Sequence, residues 1–171
     1  MTPDRMRKLA RALDLVAEKD RQELARQEAI EQMRREAALE LYGICRKFVD
    51  DLNLIMEQVR LELSPADYAC RNYNDNGPNL FQINLHGRLI QITFKPTDTV
   101  TSTDNYRIPY TLEGTVNSFN QQLLELDEIR DQRLYFCLER SGNHWRFQEG
   151  SSGKQGVVDS DYLAGLLEKL T

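Results

Sequence analysis

A stretch of about forty residues near the start of this chain lacks the two residue types that most often stop a helix. Between Asp4 and Gly43 there is no proline, no glycine and no cluster of turn-forming residues. Proline removes a backbone donor and clashes with the preceding turn, and glycine weakens a helix, so their absence excludes the usual breaks. Thr2 and Pro3 suit the N-cap and the first helical position. The pattern predicts a long helix that begins at the N-terminus.

Other absences exclude broad classes of protein. The three cysteines, Cys45, Cys70 and Cys137, form no Cys-x-x-Cys pair, which argues against a disulfide framework or a zinc knuckle. No apolar run approaches the ~20 residues of a membrane span, and the N-terminus lacks the apolar core of a secretory signal. We therefore expect a cytoplasmic protein without a transmembrane segment.

Basic charge is scarce in the C-terminal part of the chain. Residues 66–171 hold fourteen acidic and ten basic side chains, within a net charge of −5 for the whole chain. A domain that binds duplex nucleic acid normally concentrates Lys and Arg on one face. We therefore expect no nucleic-acid partner.

The first part of the helical segment is polar and carries only a narrow apolar stripe. Charges alternate in sign along it, and the apolar spacing of three and four fails at residues 18–23. Such a helix is stable only beside another helix, and a second copy of the chain is the simplest partner. A turn within residues 18–23 would instead make a helical hairpin, and the direction of helix pairing stays open. The predicted oligomer interface consists of Leu9, Leu13, Val16 and Leu24.

The second part of the segment is densely apolar and predicts a helix packed on a core. From Leu41 apolar residues recur at helical spacing as far as Leu63, where Ser64 and Pro65 end the pattern. Two regions are therefore predicted. They are a projecting, coiled-coil-like helix over residues 1–40 and a head over residues 41–171 that includes a packed helix over residues 41–63.

The remainder of the chain predicts an antiparallel sheet with short helices. Alternating apolar residues on both sides of His86 and Gly87 indicate a hairpin with one buried face. Short helices are expected after Ser118 and after a cap at Asp159 or Ser160. The fold class is therefore α+β, with an antiparallel sheet of about five strands packed on helices and a long projecting N-terminal helix. The strands are predicted over residues 81–85, 90–94, 106–112, 134–140 and 144–148.

No residue pattern in the chain carries a catalytic, cofactor or metal signature. His86 and His144 lie at predicted hairpin ends without a ligand at metal spacing, although they could meet across the sheet. Cys70 is the least explained thiol, whereas Cys45 and Cys137 fit core positions. Residues 150–154 have the composition of a phosphate loop, but two residues separate the glycines where the motif needs four. We expect no catalytic, cofactor-binding or metal-binding residues.

These observations favour a non-enzymatic protein-interaction module. The prediction is a homo-oligomeric scaffold, adaptor or chaperone-like protein whose partners are itself and an unknown protein. The alternative is a small-molecule or peptide-binding domain with a pocket between the sheet and the helices. An enzyme would require His86 or His144 to meet Cys70 or a carboxylate in a cleft.

Overall fold

The chain forms one long helix, an antiparallel sheet and a short C-terminal helix. We describe residues 1–120, 125, 126, 129 and 131–171 of a computed structural model. The predicted α+β class is confirmed. The elements in chain order are α1 (Pro3–Ile55), β1 (Glu62–Ser64), a 3₁₀ turn (Cys70–Asn72), β2 (Asn79–Leu85), β3 (Arg88–Pro96), β4 (Tyr110–Asn120), β5 (Glu125–Leu126), β6 (Gln132–Cys137), β7 (His144–Glu149), β8 (Gln155–Val157) and α2 (Ser160–Glu168).

Helix α1 is continuous through residues 18–23, so the predicted long helix is correct at that point and the alternative hairpin is not formed. The helix ends at Ile55 and not at Leu63 as predicted. The side chain of Asn53 binds the returning backbone, since its amide donates to the Leu61 carbonyl at 3.0 Å and its oxygen accepts from the Leu61 N–H at 2.8 Å. Residues 62–64 then pair as strand β1, because Leu61 and Leu63 bury by alternation and not by helical spacing.

Two compact units divide the chain, Met1–Met33 and Arg34–Thr171. In the first unit every residue from 1 to 29 is exposed. In the second unit the buried face of α1 begins at Ala37 and Ala38. The domain boundary that the sequence predicts, between residues 40 and 41, stays a prediction. Within the described part of the chain, no helix has the length and apolar character needed to cross a bilayer.

The sheet has more strands than the sequence predicts. Its described strands follow the order β1-β2-β3-β4-β6-β7-β8, with each neighbouring pair antiparallel, and β5 pairs with β4. The path therefore has seven strands where about five were predicted. The additional ones are the short edge strands β1 and β8. Strand β1 lies where the sequence predicts the end of the packed helix, and β8 lies beside Val157 and Val158, where the sequence suggests a short further strand. The predicted hairpin at His86 and Gly87 is confirmed.

Strand β4 differs most from its prediction. It begins at Tyr110 instead of residue 106, and it continues to Asn120 through the position where a helix was expected to begin. Ser118 is therefore not a helix cap; its buried hydroxyl accepts a hydrogen bond from the Ile129 N–H at 3.3 Å. The predicted helix also extended to Leu126, which instead pairs with Phe119 as part of β5. Residues 121–124 of that prediction lie outside the described residues. Pro109 precedes the strand, and the register shifts just after it, between Tyr110 and Leu112.

Both helices cover the same face of the sheet. Along α1 the buried residues lie between Ala37 and Val49, and the indole N–H of Trp145 on β7 donates to the Ala37 carbonyl at 2.8 Å. Asp159 caps α2 by accepting from the Tyr162 N–H at 2.9 Å, so of the two predicted caps Asp159 is correct and Ser160 is the first helical residue. The ring of Tyr162 then stacks on Phe147, also on β7, with ring centres 4.2 Å apart.

A line of aromatic rings forms the centre of this core. Phe81, Phe94 and Trp145 come from neighbouring parts of the sheet, with successive ring centres 5.3 and 5.5 Å apart. Tyr42 of α1 meets Phe81 edge-on at 5.3 Å, and Phe136 meets Trp145 at 5.5 Å. Tilted and edge-to-face geometries of this kind contribute about 0.5–1.5 kcal/mol per pair beyond area burial. The rings thus join α1 to four strands of the sheet.

The end of α1 supplies a matched test of this packing. Phe48 is 4% exposed and Leu54, only six residues later, is 87% exposed. We expect Phe48→Ala to lower the free energy of unfolding by about 3–5 kcal/mol, because it removes a buried aromatic ring and leaves a cavity. Leu54→Ala should change it by less than about 0.5 kcal/mol. Urea denaturation of both variants measures the difference, and equal losses would contradict the assignment of Phe48 to the core.

Candidate interaction surface

The four residues predicted as an oligomer interface all lie in the unit Met1–Met33. Leu9, Leu13, Val16 and Leu24 are each about half exposed, at 49%, 59%, 54% and 57% of their surface. Met6 precedes them at the same spacing and is 56% exposed. Steps of three and four bring Met6, Leu9, Leu13 and Val16 onto one side of the helix. We call Met6, Leu9, Leu13 and Val16 the N-terminal stripe. The role of the predicted residues Leu9, Leu13, Val16 and Leu24 as an interface stays a prediction.

The N-terminal stripe has the spacing of a short coiled-coil seam. Met6 and Leu13 occupy the a positions of two heptads, and Leu9 and Val16 occupy the d positions. Leu24 falls at an e position, beside this seam and about two turns beyond it. Between Met6 and Val16, the flanking e position is Ala10 and the flanking g position is Ala12. Small flanking residues allow another helix to approach the stripe closely.

Charged residues end the stripe on its C-terminal side. The next a and d positions are Asp20 and Glu23, which were part of the break predicted at residues 18–23. Nearby, Arg21 pairs with Glu18 at 3.0 Å, and both side chains are at least half exposed. Such exposed pairs contribute little to stability, typically ~0–1 kcal/mol. The apolar part of the surface is therefore confined to about two heptads.

The two histidines lie at opposite ends of the sheet. His86 and Gly87 form the two-residue turn between β2 and β3, where both have positive φ angles of 50° and 86°, as this hairpin turn requires. His144 opens β7 and is paired with Cys137, at the end of the sheet where β4 begins. The possibility that they meet across the sheet is therefore wrong, because the strand register separates them.

A carboxylate does lie near His144, but it is already paired. Glu139 accepts two hydrogen bonds from the guanidinium of Arg146, at 3.0 and 2.8 Å, and both side chains are largely buried. This pairing lowers the pKa of Glu139. A bidentate arginine holds the carboxylate ionised and oriented, so its role here is to join the ends of β6 and β7. Among the described residues, no group of three His, Cys, Asp or Glu side chains has the geometry of a metal site.

The loop of residues 150–154 is a turn between β7 and β8. Glu149 donates its N–H to the Lys154 carbonyl at 2.8 Å and accepts the Gly153 N–H at the same distance. Its carboxylate also accepts a hydrogen bond from the Ser152 hydroxyl at 2.9 Å and pairs with Lys169 at 2.8 Å. A carboxylate at this point repels phosphate. The loop therefore serves as the connection of the β7–β8 hairpin.

Beside this turn, a cleft of about 320 Å³ lies between the sheet and α2. Phe147 and Tyr162 supply apolar surface, and the Tyr162 hydroxyl donates to the Gln132 amide oxygen at 2.8 Å. Lys154, Asp159 and Lys169 add charges at its margin. The sequence contained no signal for this cleft, because its lining comes from β6, β7, β8 and α2, which only the fold brings together.

The role of Arg34 was also not predicted from the sequence. Its guanidinium donates to the Thr111 hydroxyl at 2.8 Å, to the Thr97 hydroxyl at 3.3 Å and to the Thr99 carbonyl at 3.1 Å. It thereby attaches the loop between β3 and β4 to α1. In the sequence Arg34 is one of many charges on a polar helix, and nothing distinguishes it from the exposed ones.

The three thiols differ enough in burial to be told apart by their reactivity. Cys45 and Cys137 are fully buried, and burial raises the pKa of each thiol to about 12 because the thiolate loses its hydration. At pH 8 almost no thiolate exists at these positions, whereas Cys70 in the 3₁₀ turn is only half-buried. We expect iodoacetamide to modify Cys70 alone in the native chain and all three in urea. Mass spectrometry of the alkylated chain measures this, and equal native rates at Cys45 and Cys70 would contradict it.

Comparison with protein-family models, with curated proteins and with solved structures finds no match to this chain. The functional conclusion therefore depends on the chain's own residues.

Proposed function

We propose that the chain is a non-enzymatic, homo-oligomeric protein-interaction module of the scaffold, adaptor or chaperone-like kind. Its contact with a second copy is made by the N-terminal stripe. The observation that carries the proposal is an apolar stripe about half exposed, on a helical segment whose residues 1–29 are all exposed. A helix gains most of its stability in proteins from packing its apolar face. Pairing with another helix supplies that packing.

The size of the stripe supports a modest interaction. Fully burying a side chain of this kind is worth roughly 1.5–3 kcal/mol, and these four side chains already have about half of their surface covered. Each therefore contributes on the order of 1 kcal/mol when a partner covers the remainder. In this proposal an unknown protein with a similar helix is a further partner, because the N-terminal stripe can pack against any helix that carries an apolar seam.

Removing the stripe should abolish self-association without affecting the unit Arg34–Thr171. We expect the native chain to be a dimer or larger by light scattering at micromolar concentration. The double variant Leu9→Glu/Leu13→Glu should be a monomer, because it places carboxylates in the seam.

Leu15→Glu is the matched control for this test. Leu15 is 70% exposed and lies off the stripe, so its replacement by a carboxylate should leave the mass unchanged. All three chains should unfold with the same urea midpoint in the near-ultraviolet signal of the buried Trp145. A native chain that stays monomeric while its N-terminal segment remains helical would refute the proposal.

The cleft beside α2 supports the alternative function, a small-molecule or peptide-binding domain. It combines the stacked rings of Phe147 and Tyr162 with charged side chains at its margin, and its volume of about 320 Å³ is at the small end for ligand pockets. It lies between the sheet and a helix, where the alternative was expected.

A pair of glycine variants tests this alternative. A Cβ atom at Gly165, which lines the cleft, or at Gly43 on α1 meets no atom within 4 Å. Both glycines lie in helices, so Gly165→Leu and Gly43→Leu should gain similar helix propensity while only Gly165→Leu fills the cleft. In a fragment screen by ligand-observed NMR, binding fragments should be lost with Gly165→Leu and kept with Gly43→Leu. Identical hits for both variants would exclude the cleft as the binding site.

A further inference from the structure

We infer that the partner of the N-terminal stripe is a second copy of the same helix in antiparallel orientation. The two helices overlap over residues 3–19, and the two-fold axis passes between them at the level of Arg11. This inference rests on the proposed function and adds to it the direction and the register of pairing. Two observations carry it: the a and d positions of the stripe, and the acidic residues that follow it.

The register follows from the spacing of the stripe. When one of two identical helices is reversed, its a row faces the d row of the other. With Arg11 at the axis, Met6 faces Val16 of the second copy and Leu9 faces Leu13 of the second copy. All four apolar residues of each chain are then covered at once. A shift by one heptad toward the C-terminus would place Leu9 against Asp20, so this register buries the most apolar surface.

A parallel pair is disfavoured by the residues beyond the stripe. Helix α1 continues unbroken past Val16, so a parallel in-register pair would bring Asp20 against Asp20 and Glu23 against Glu23 within one seam. Like charges held close together at a seam repel each other. In the antiparallel pair the opposing helix begins at Pro3, and Asp20 lies beside its first turn. The free N–H groups and the positive end of the helix dipole there favour a carboxylate.

The flanking charges do not add to this preference. Arg5 and Lys19 are g positions, and the antiparallel register places Arg5 of each copy beside Lys19 of the other, which makes two like-charged pairs. These pairs lie at the solvent-exposed rim, where charge pairs contribute little. The remaining charged side chains of residues 4–8 and 14–18 lie at b, c and f positions, away from the seam.

Distances between spin labels at two positions test the direction. The labels are attached to Leu15→Cys and to Ala25→Cys, two exposed positions outside the seam, each in a full-length chain that also carries Cys70→Ser. Leu15 is four residues from the proposed axis and Ala25 is fourteen. At 1.5 Å per residue, the two copies of position 25 lie about 42 Å apart along the helix axis, and the two copies of position 15 about 12 Å. Pulsed electron paramagnetic resonance measures both distances.

The outcomes separate the inference from the proposed function. A distance at position 25 that exceeds that at position 15 by about 20 Å or more supports the antiparallel pair. Short and equal distances at both positions mean a parallel pair, which overturns the inference and leaves self-association intact. The absence of any intermolecular distance, with light scattering of a monomer, refutes both. Long distances at both positions in a dimer place the contact elsewhere and refute both as well.

Discussion

The fold depends on the close approach of α1 to the sheet at Ala37 and Ala38. Both residues are fully buried, and their small side chains let the helix backbone come near the strands. The indole N–H of Trp145 can then reach the Ala37 carbonyl at 2.8 Å, and the ring of Trp145 is 99% buried between Phe94 and Phe136. A larger side chain at either alanine would separate the helix from the sheet and leave the indole N–H unpaired in the core, which costs about 1–3 kcal/mol in addition to the lost packing.

The same contact determines where the polar chemistry of the chain lies. With α1 and α2 on one face, the loop between β3 and β4 runs on the other side of β4, where Tyr106, Tyr110, Tyr135 and Cys137 form a smaller cluster. Arg34 reaches this loop from α1, and the Glu139–Arg146 pair joins the strand ends beside it. The buried Cys45 and Cys137 and the paired Glu139 therefore stabilise the fold. The N-terminal stripe and the cleft beside α2 are two described surfaces that such structural contacts leave open to a partner or ligand.

Residues 1–33 obey a different constraint from the rest of the chain. They are helical because nothing in the segment interrupts the backbone hydrogen bonds, and local pairs such as Arg21 with Glu18 add small increments. Their stripe was readable from the sequence because helical periodicity is local. The direction in which two stripes would pair stays a proposal; it rests on the continuity of α1, which places Asp20 and Glu23 in the seam of a parallel in-register pair.

Local rules thus determined the α+β class, the unbroken start of α1, the turn at His86 and Gly87 and the cap at Asp159. Each depends on residues within one or two turns of one another, so the chain encodes them without reference to the fold. Tertiary structure decided the end of α1 at Ile55, because the Asn53 side chain binds Leu61 and the following residues pair with β2. It also decided the span of β4, the separation of His86 from His144 and the cleft beside α2. These features depend on which strands pair and in what register, and that is set by burial between residues far apart in the sequence.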